Sequence, residues 1–164
     1  RRLAALPRLV TDDLAATLEV LASAARELRQ PWWVFGGAAM VLAGLEGLAT
    51  PDVDVMAAPQ DARRLIAALG GVIVEDPGHG LFRSRVFGKA SATPVPIEVM
   101  ADMDVRAGAE WTRVAFATRL PIALDAGPVF IPTVDEQIAT CRLFGRPKDL
   151  QRAARLEGLR RPPQ

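Results

Sequence analysis

Two stretches decide the fold: Trp32-Trp33-Val34-Phe35-Gly36-Gly37-Ala38-Ala39 and, a short interval later, Thr50-Pro51-Asp52-Val53-Asp54-Val55-Met56. Trp32 to Phe35 is a short apolar run bounded by Pro31 and a glycine pair, which predicts a buried strand. Gly36-Gly37 makes a tight turn, and Ala38 to Leu45 has the composition of a helix. Val53 to Ala57 reads as the next strand. A backbone turn and two carboxylates therefore fall at the ends of two neighbouring strands.

Working outward, Thr11 can cap a helix that has Asp12 and Asp13 in its first turn. Leu14, Leu18, Leu21, Ala25 and Leu28 then recur at helical spacing, so a helix is expected over 11–29. Arg1 to Val10 is expected to be a loose lead-in. Pro59 suits the first position of a helix that Gly70-Gly71 would stop. Val72 to Val74, Leu81 to Phe87, Val95 to Met100 and Val129 to Ile131 are strand candidates. Val114 to Thr118 and Leu120 to Leu124 are weaker ones. Asp76-Pro77-Gly78-His79-Gly80 is a loop. Thr133 followed by Glu136 predicts a capping box, and Pro147 opens a last helix to about Glu157. Arg160 to Gln164 reads as a frayed tail.

This order predicts an α+β fold with a mixed central sheet flanked by helices and a short C-terminal helical pair. One domain over 1–164 is expected, with the sheet core over 32–131 and the helical pair over 133–157. Half of the 164 residues are apolar, enough for a sizeable core. The net charge of +1 argues against strong non-specific nucleic-acid binding. It is unevenly spread: Arg142 to Gln164 carries +5 and the remainder −4. A basic end beside an acidic body could attract a polyanion. The single cysteine, Cys141, excludes an intrachain disulfide framework and points to a reducing, cytoplasmic setting. No signal-peptide pattern and no apolar stretch long enough to span a membrane is visible.

Glycine allows positive φ and lets a ligand approach the backbone closely. A helix start directly after the pair offers unpaired N–H groups to a phosphate. Asp52 and Asp54, two apart on a strand, point to the same side. Two such carboxylates repel each other unless a cation or a proton intervenes. Mg²⁺ suits them, being an oxygen-seeking ion often shared with substrate phosphates. Glu98 interrupts the apolar run Val95-Pro96-Ile97-Glu98-Val99-Met100, and a buried unpaired charge there would be costly. Glu98 is thus the best third carboxylate, with Asp102 as competitor. Together these acids have the form of a two-metal site for phosphoryl chemistry.

With these residues in hand, the chain resembles the nucleotidyltransferase superfamily that includes DNA polymerase β. Its pattern is Gly-Gly or Gly-Ser at a strand-to-helix turn, then Asp-x-Asp, then a third acid on a later strand. The matching residues are Gly36, Gly37, Asp52, Asp54 and Glu98. The toxin-type (abortive-infection-like) and aminoglycoside-type bacterial members look most similar. Gly145-Arg146-Pro147-Lys148-Asp149-Leu150 is similar to a late Arg-x-Lys-Asp stretch of the toxin-like group.

The resemblance implies transfer of a nucleoside monophosphate from an NTP to a hydroxyl, with Mg²⁺ or Mn²⁺ as cofactor. Asp52, Asp54 and Glu98 would be the catalytic and metal-binding acids. Gly36, Gly37, Ala38, Thr50, Lys148 and Asp149 would bind nucleotide, Lys148 at the phosphates with Asp149 orienting it. A tRNA end, a partner protein of toxin–antitoxin type or a small molecule would be the acceptor. Two departures stand out: Ala38 where many members have Ser, and Glu98 where the third acid is often Asp. Neither excludes activity, and both leave room for an alternative, a nucleotide-binding antitoxin or regulatory module without turnover.

Outside this set, His79 is the only histidine and too isolated for a metal cluster. Cys141 lies in a predicted helix and reads as core. Trp32 and Trp33 read as packing residues. Arg83, Arg85 and Lys89 could line a phosphate pocket, or be a solvated strand face.

Overall fold

The computed structural model describes residues 4–75 and 80–160. The loop histidine His79 and residues 161–164 lie outside them. Thr11 caps α1 (Asp12–Ala24), its hydroxyl accepting from the Leu14 N–H at 3.2 Å, and a 3-10 turn (Ala25–Glu27) continues it. β1 (Trp33–Phe35) leads into α2 (Gly36–Leu42), which begins on the glycines themselves and is shorter than the expected Ala38–Leu45. β2 (Val53–Met56) and α3 (Pro59–Ala68) follow, with Pro59 in the first turn as read.

Then come β3 (Val72–Ile73), β4 (Phe82–Ala90), β5 (Ile97–Ala107), β6 (Glu110–Arg113), β7 (Leu120–Ile122) and β8 (Val129–Ile131). α4 (Val134–Phe144) and α5 (Pro147–Arg160) close the described chain. The main sheet has the order β1-β2-β5-β4-β3, with β6 also on β5. Among the described strands of this sheet only the β2–β5 pair is parallel. The fold is thus the mixed α+β arrangement expected.

One face of this sheet carries the main core. Val34, Val53, Val55, Ile97 and Val99 meet Leu14, Leu18 and Leu21 of α1 and Leu65 and Ile66 of α3. Each such aliphatic side chain contributes roughly 1.5–3 kcal/mol through burial. Gly88 lets α3 lie against β4, because a Cβ there would meet the Ile66 side chain at 2.3 Å. On the other face, Phe35, Met56, Met100, Met103 and Val105 form a smaller apolar cluster. α4 and α5 pack on α2 through Met40, Ile138, Cys141, Ala153 and Leu156.

The strand readings were weakest after Met100. β5 is longer than expected because it changes phase: Asp102 has φ 48°. Up to Ala101 the odd-numbered side chains enter the main core; beyond Asp102, Met103 and Val105 join Met100 on the opposite face. A strict two-residue alternation cannot run through such a point. Val114 to Thr118 is not a strand, and β6 just before it is one.

Thr133 caps α4 by accepting from the Glu136 N–H, but the reciprocal half of the capping box is absent. The Glu136 carboxylate instead accepts from the N–H groups of Ala117 and Thr118 and from the Thr118 hydroxyl. It fastens the irregular 114–119 segment to α4. The lead-in is also tied down, since the Ala123 N–H donates to the Ala4 carbonyl at 2.7 Å. α5 runs on through Arg160, whose guanidinium meets Asp135 at 2.6 Å. Among the described residues no helix is long and apolar enough to cross a membrane.

Candidate active site

Strand register assembles the acids. Phe35 of β1 pairs with Asp54 of β2, Asp54 pairs with Glu98 of β5, and Glu98 pairs with Lys89 of β4. Asp54 and Glu98 are therefore nearest neighbours across the one parallel ladder, and Asp52 sits just before β2. One carboxylate oxygen from each of Asp52, Asp54 and Glu98 lies within 4.8 Å of the others. Asp102, the competing acid, is elsewhere, held by Arg85 at 3.7 Å and Arg113 at 3.1 Å. Lys89 is the cation beside Glu98, at 3.8 Å.

Burial, reinforced by the charges of Asp52 and Glu98 and a hydrogen bond with Glu98, pushes the Asp54 carboxyl up to about 8, while Arg152 opposes the rise. A carboxyl in that state either keeps a proton or shares its site with a cation. Three half-buried carboxylates that converge from two strands suit a hard, oxygen-seeking divalent ion.

The glycine turn abuts the triad. Gly36 has φ +65°, and a Cβ there would lie 2.9 Å from Asp54 Oδ2, so both conformation and space require glycine. Gly37 has no such constraint from its neighbours. α2 is only seven residues long, so the turn's N–H groups, rather than a large helix dipole, are what it offers an anion.

Above the triad, a cavity of about 460 Å³ opens between the sheet and the α2, α4 and α5 helices. Gly36, Gly37, Thr50, Asp52, Asp54, Glu98, Lys148 and Asp149 all line it. Ala38 does not; it is buried in the main core. Asp149 is buried and turned onto Arg146, accepting from its Nε at 2.6 Å, its Nη2 at 3.1 Å and its backbone N–H at 3.2 Å. It thus fixes the start of α5, and Lys148 is left exposed at the rim.

In the basic C-terminal end Arg155 donates to the Glu46 carbonyl, and the other described cations fall into two groups. Arg142 pairs with Glu157, Arg146 with Asp149 and Arg160 with Asp135. Among the described residues no ion pair engages Lys148 or Arg152, and both line the cavity. Arg152 is the cavity cation the sequence reading missed. Its spacing of four from Lys148 places both on one face of α5 and was the available signal.

The remaining candidates are structural. Cys141 is buried, and burial, with the nearby Asp149 carboxylate, pushes its thiol up to about 11, far from a reactive thiolate. Trp32 meets Phe130 edge-on, and the Trp33 indole donates to the Thr118 carbonyl. Arg83 and Arg85 pair with Asp104 and Asp102, away from the triad.

The arrangement of sheet and helices is the fold of solved nucleotidyltransferases. A Thermotoga maritima protein provisionally described as a nucleotidyltransferase superposes with a TM-score of 0.64 at 15% identity, covering 88% of each chain. The nucleotidyltransferase-like antigen of Paracoccidioides brasiliensis gives 0.56 at 17% identity, over 92% of this chain and 77% of that one. The antibiotic-resistance factor ANT(2'')-Ia, solved with adenylyl-2''-tobramycin, gives 0.52 at 16% identity over 92% and 95%. No protein-family model matches the sequence, and no curated protein sequence matches it either.

Proposed function

We propose that this chain is a Mg²⁺-dependent nucleotidyltransferase that moves a nucleoside monophosphate from an NTP to an acceptor hydroxyl, releasing pyrophosphate. The observation that carries the reading is the convergence of Asp52, Asp54 and Glu98 beside the glycine turn. ANT(2'')-Ia, whose complex holds an adenylylated antibiotic, supports this class of transfer for the fold.

Asp52, Asp54 and Glu98 would hold the metal, which when bound supplies charge neutralisation at the phosphates and a more acidic acceptor hydroxyl. The backbone N–H groups of Gly36 and Gly37 bind the triphosphate, and Thr50 borders it. Lys148 and Arg152 approach from α5 and neutralise its β and γ charges. Asp149 positions this cationic face by fixing the first turn of α5. Glu98, beside Lys89, accepts the acceptor's proton. The acceptor oxygen bonds to the α-phosphorus as the α–β bridge breaks. Positioning and charge do the work, with no covalent enzyme intermediate.

Ala38 does not argue for a binding-only module. Its side chain is buried in the main core, so a hydroxyl there would face the core rather than the cavity. Acceptors of the tRNA, partner-protein and small-molecule kinds all fit this chemistry, as does a cytoplasmic toxin–antitoxin setting.

The test is thermal stability with each of four NTPs, with and without Mg²⁺, in wild type and Asp54→Asn. Saturation at a hundred times Kd adds about 2.7 kcal/mol, or roughly 5–10 °C for a domain of this size. A Mg²⁺-dependent rise absent from Asp54→Asn is expected. No rise with any NTP would remove the assignment.

A further inference from the structure

Four phenylalanines that line the cavity, Phe82, Phe87, Phe116 and Phe144, are only partly buried. All four pack on the smaller apolar cluster and leave part of their surface to the cavity, and apolar cavity linings of this kind mark binding sites. The lining is also ordered. Moving along β5 away from Glu98, the next cavity-facing residue is Met100, paired with Phe87 of β4. Beyond the phase change comes Met103, paired with Ser84, and beyond that Phe82 against Phe144 at 4.8 Å. At about 3.3 Å per residue the strip from Glu98 to Met103 runs roughly 16 Å. It is an apolar floor that starts at the triad.

The charge of the cavity sharpens this. Once Asp52, Asp54 and Glu98 are set aside for a metal, the described lining residues retain two acids, Glu75 and Asp149, and Asp149 is already taken by Arg146. Against them stand Lys89 and Arg146, with Lys148 and Arg152 given to the triphosphate. Lys89 lies over the Phe87 ring at 5.7 Å and Arg146 over Phe82 at 5.0 Å. A polycationic acceptor would meet cations and rings, with Glu75 as the one lining carboxylate outside the triad and the Arg146 pair to receive it.

The inference rests on the nucleotidyltransferase reading, which fixes the side from which the acceptor comes. With the triphosphate at the Gly36-Gly37 turn, pyrophosphate leaves on the β1–β2 side. An in-line attacking oxygen then arrives from the opposite side, over β5 and β4. That is where Glu98, Lys89, Phe87 and Met100 lie. We propose that the acceptor is an uncharged or anionic aromatic hydroxyl, a phenol-type group whose ring rests on Phe87 and Met100.

A phenol has a pKa near 10, well below that of an alkyl alcohol, so it makes a modest demand on Glu98 as base. The Lys89 ammonium, 3.8 Å from Glu98, is placed to stabilise the developing phenolate. In the step, the phenolic oxygen bonds to the α-phosphorus and the α–β P–O bond breaks. Pyrophosphate leaves with the bond pair, and the proton passes to Glu98 and then to water.

The experiment measures Mg²⁺-dependent pyrophosphate release with each NTP and one of three probes. 2-Naphthol represents a small phenol, N-acetyltyrosinamide a tyrosyl side chain, and 1,3-diaminopropan-2-ol a cationic alkyl acceptor. Release with an aromatic probe should exceed that with the diamine by about tenfold or more. Phe87→Ala should raise the aromatic probe's KM about tenfold and leave the NTP KM unchanged. Phe87→Leu, which keeps an apolar side chain there and leaves a smaller void than alanine, should show the same direction.

The arm that responds more strongly tells a small phenol from a protein tyrosine. Equal or greater release with the diamine would overturn the proposal. So would a Phe87 variant that raises the NTP KM instead, because the strip would then seat the base. If no probe is turned over, the aromatic probes must still stabilise the NTP- and Mg²⁺-bound protein in a Phe87-dependent way, and failure to do so also overturns it. Loss of Mg²⁺-dependent NTP stabilisation altogether is a separate outcome, and it strikes the nucleotidyltransferase reading itself.

Discussion

The two ends of β5 carry acids in opposite states. At the proximal end Glu98 faces Asp54 and Asp52, with Lys89 at 3.8 Å as the one cation in ion-pair reach among the described residues. At the distal end Asp104 accepts from Arg83 at 3.0 Å and from Arg113 at 2.7 Å, and Asp102 pairs with Arg85 and Arg113. Arg83 in turn stacks on Trp111 at 4.3 Å. The distal acids are neutralised by cross-strand partners and fasten the β4–β5–β6 corner. The proximal acids are left mutually repulsive. A fold keeps such a cluster only where something else, an ion or a proton, is meant to join it. Charge in excess of its partners distinguishes a site from a surface; an acid in a strand does not.

The largest expected effect comes from removing one proximal charge. Asp54→Asn should lower transfer by about a hundredfold or more, as loss of a central electrostatic group does, while the metal-free protein melts a few degrees higher, about 2–5 °C. Turnover assays and calorimetry check both. Lost activity with a lower melting temperature would mean that the cluster is structural after all.

Gly36→Ala tests whether the turn and the triad act as one. It imposes left-handed strain of roughly 1–2 kcal/mol and sets a Cβ 2.9 Å from Asp54 Oδ2. Stability in denaturant and Mg²⁺ affinity should fall together. A variant with normal Mg²⁺ affinity would uncouple them.

The two ends should also answer pH with opposite signs. The Asp54 carboxyl is raised to about 8 in the folded protein, so the folded state binds more protons than the unfolded one between about pH 4 and 8. Metal-free stability must therefore decline as pH rises through that window. Saturating Mg²⁺ should remove the decline, because ions compete with the proton. The hydrogen bond from Arg113, aided by Arg83, holds Asp104 below the ordinary value of 3.8. Its contribution is present above pH 3.8 and is lost as pH falls toward the lowered value. Melting curves from pH 3 to 9, with and without Mg²⁺, separate the two ends.

The smallest effect belongs to the distal end alone. Arg83 and Arg113 are about half exposed, so Asp104→Asn should cost about 1 kcal/mol or less and leave Mg²⁺ affinity unchanged. A change in metal binding would show that the ends are coupled through the kink at Asp102.

Much of this molecule was legible in its sequence because the signals are local. Thr11, Pro59 and Thr133 mark helix starts through hydrogen bonds and φ preferences that belong to single residues. The glycine pair and the Asp-x-Asp spacing needed only the geometry of a turn and a strand. What the sequence could not decide depends on residues far apart in the chain.

The choice of Glu98 over Asp102 follows from the parallel register of β2 on β5 and from arginines on β4 and β6. The phase change at Asp102, the diversion of Glu136 to the 114–119 segment and the seating of Asp149 on Arg146 are likewise settled by neighbours in space. So is the role open to Arg152, a cation whose side of α5 becomes meaningful only when that helix is laid across the triad. Local chemistry determined the elements and the cast of acids. Tertiary packing determined which charges went unpaired, because pairing is a property of distance in space and not of spacing along the chain.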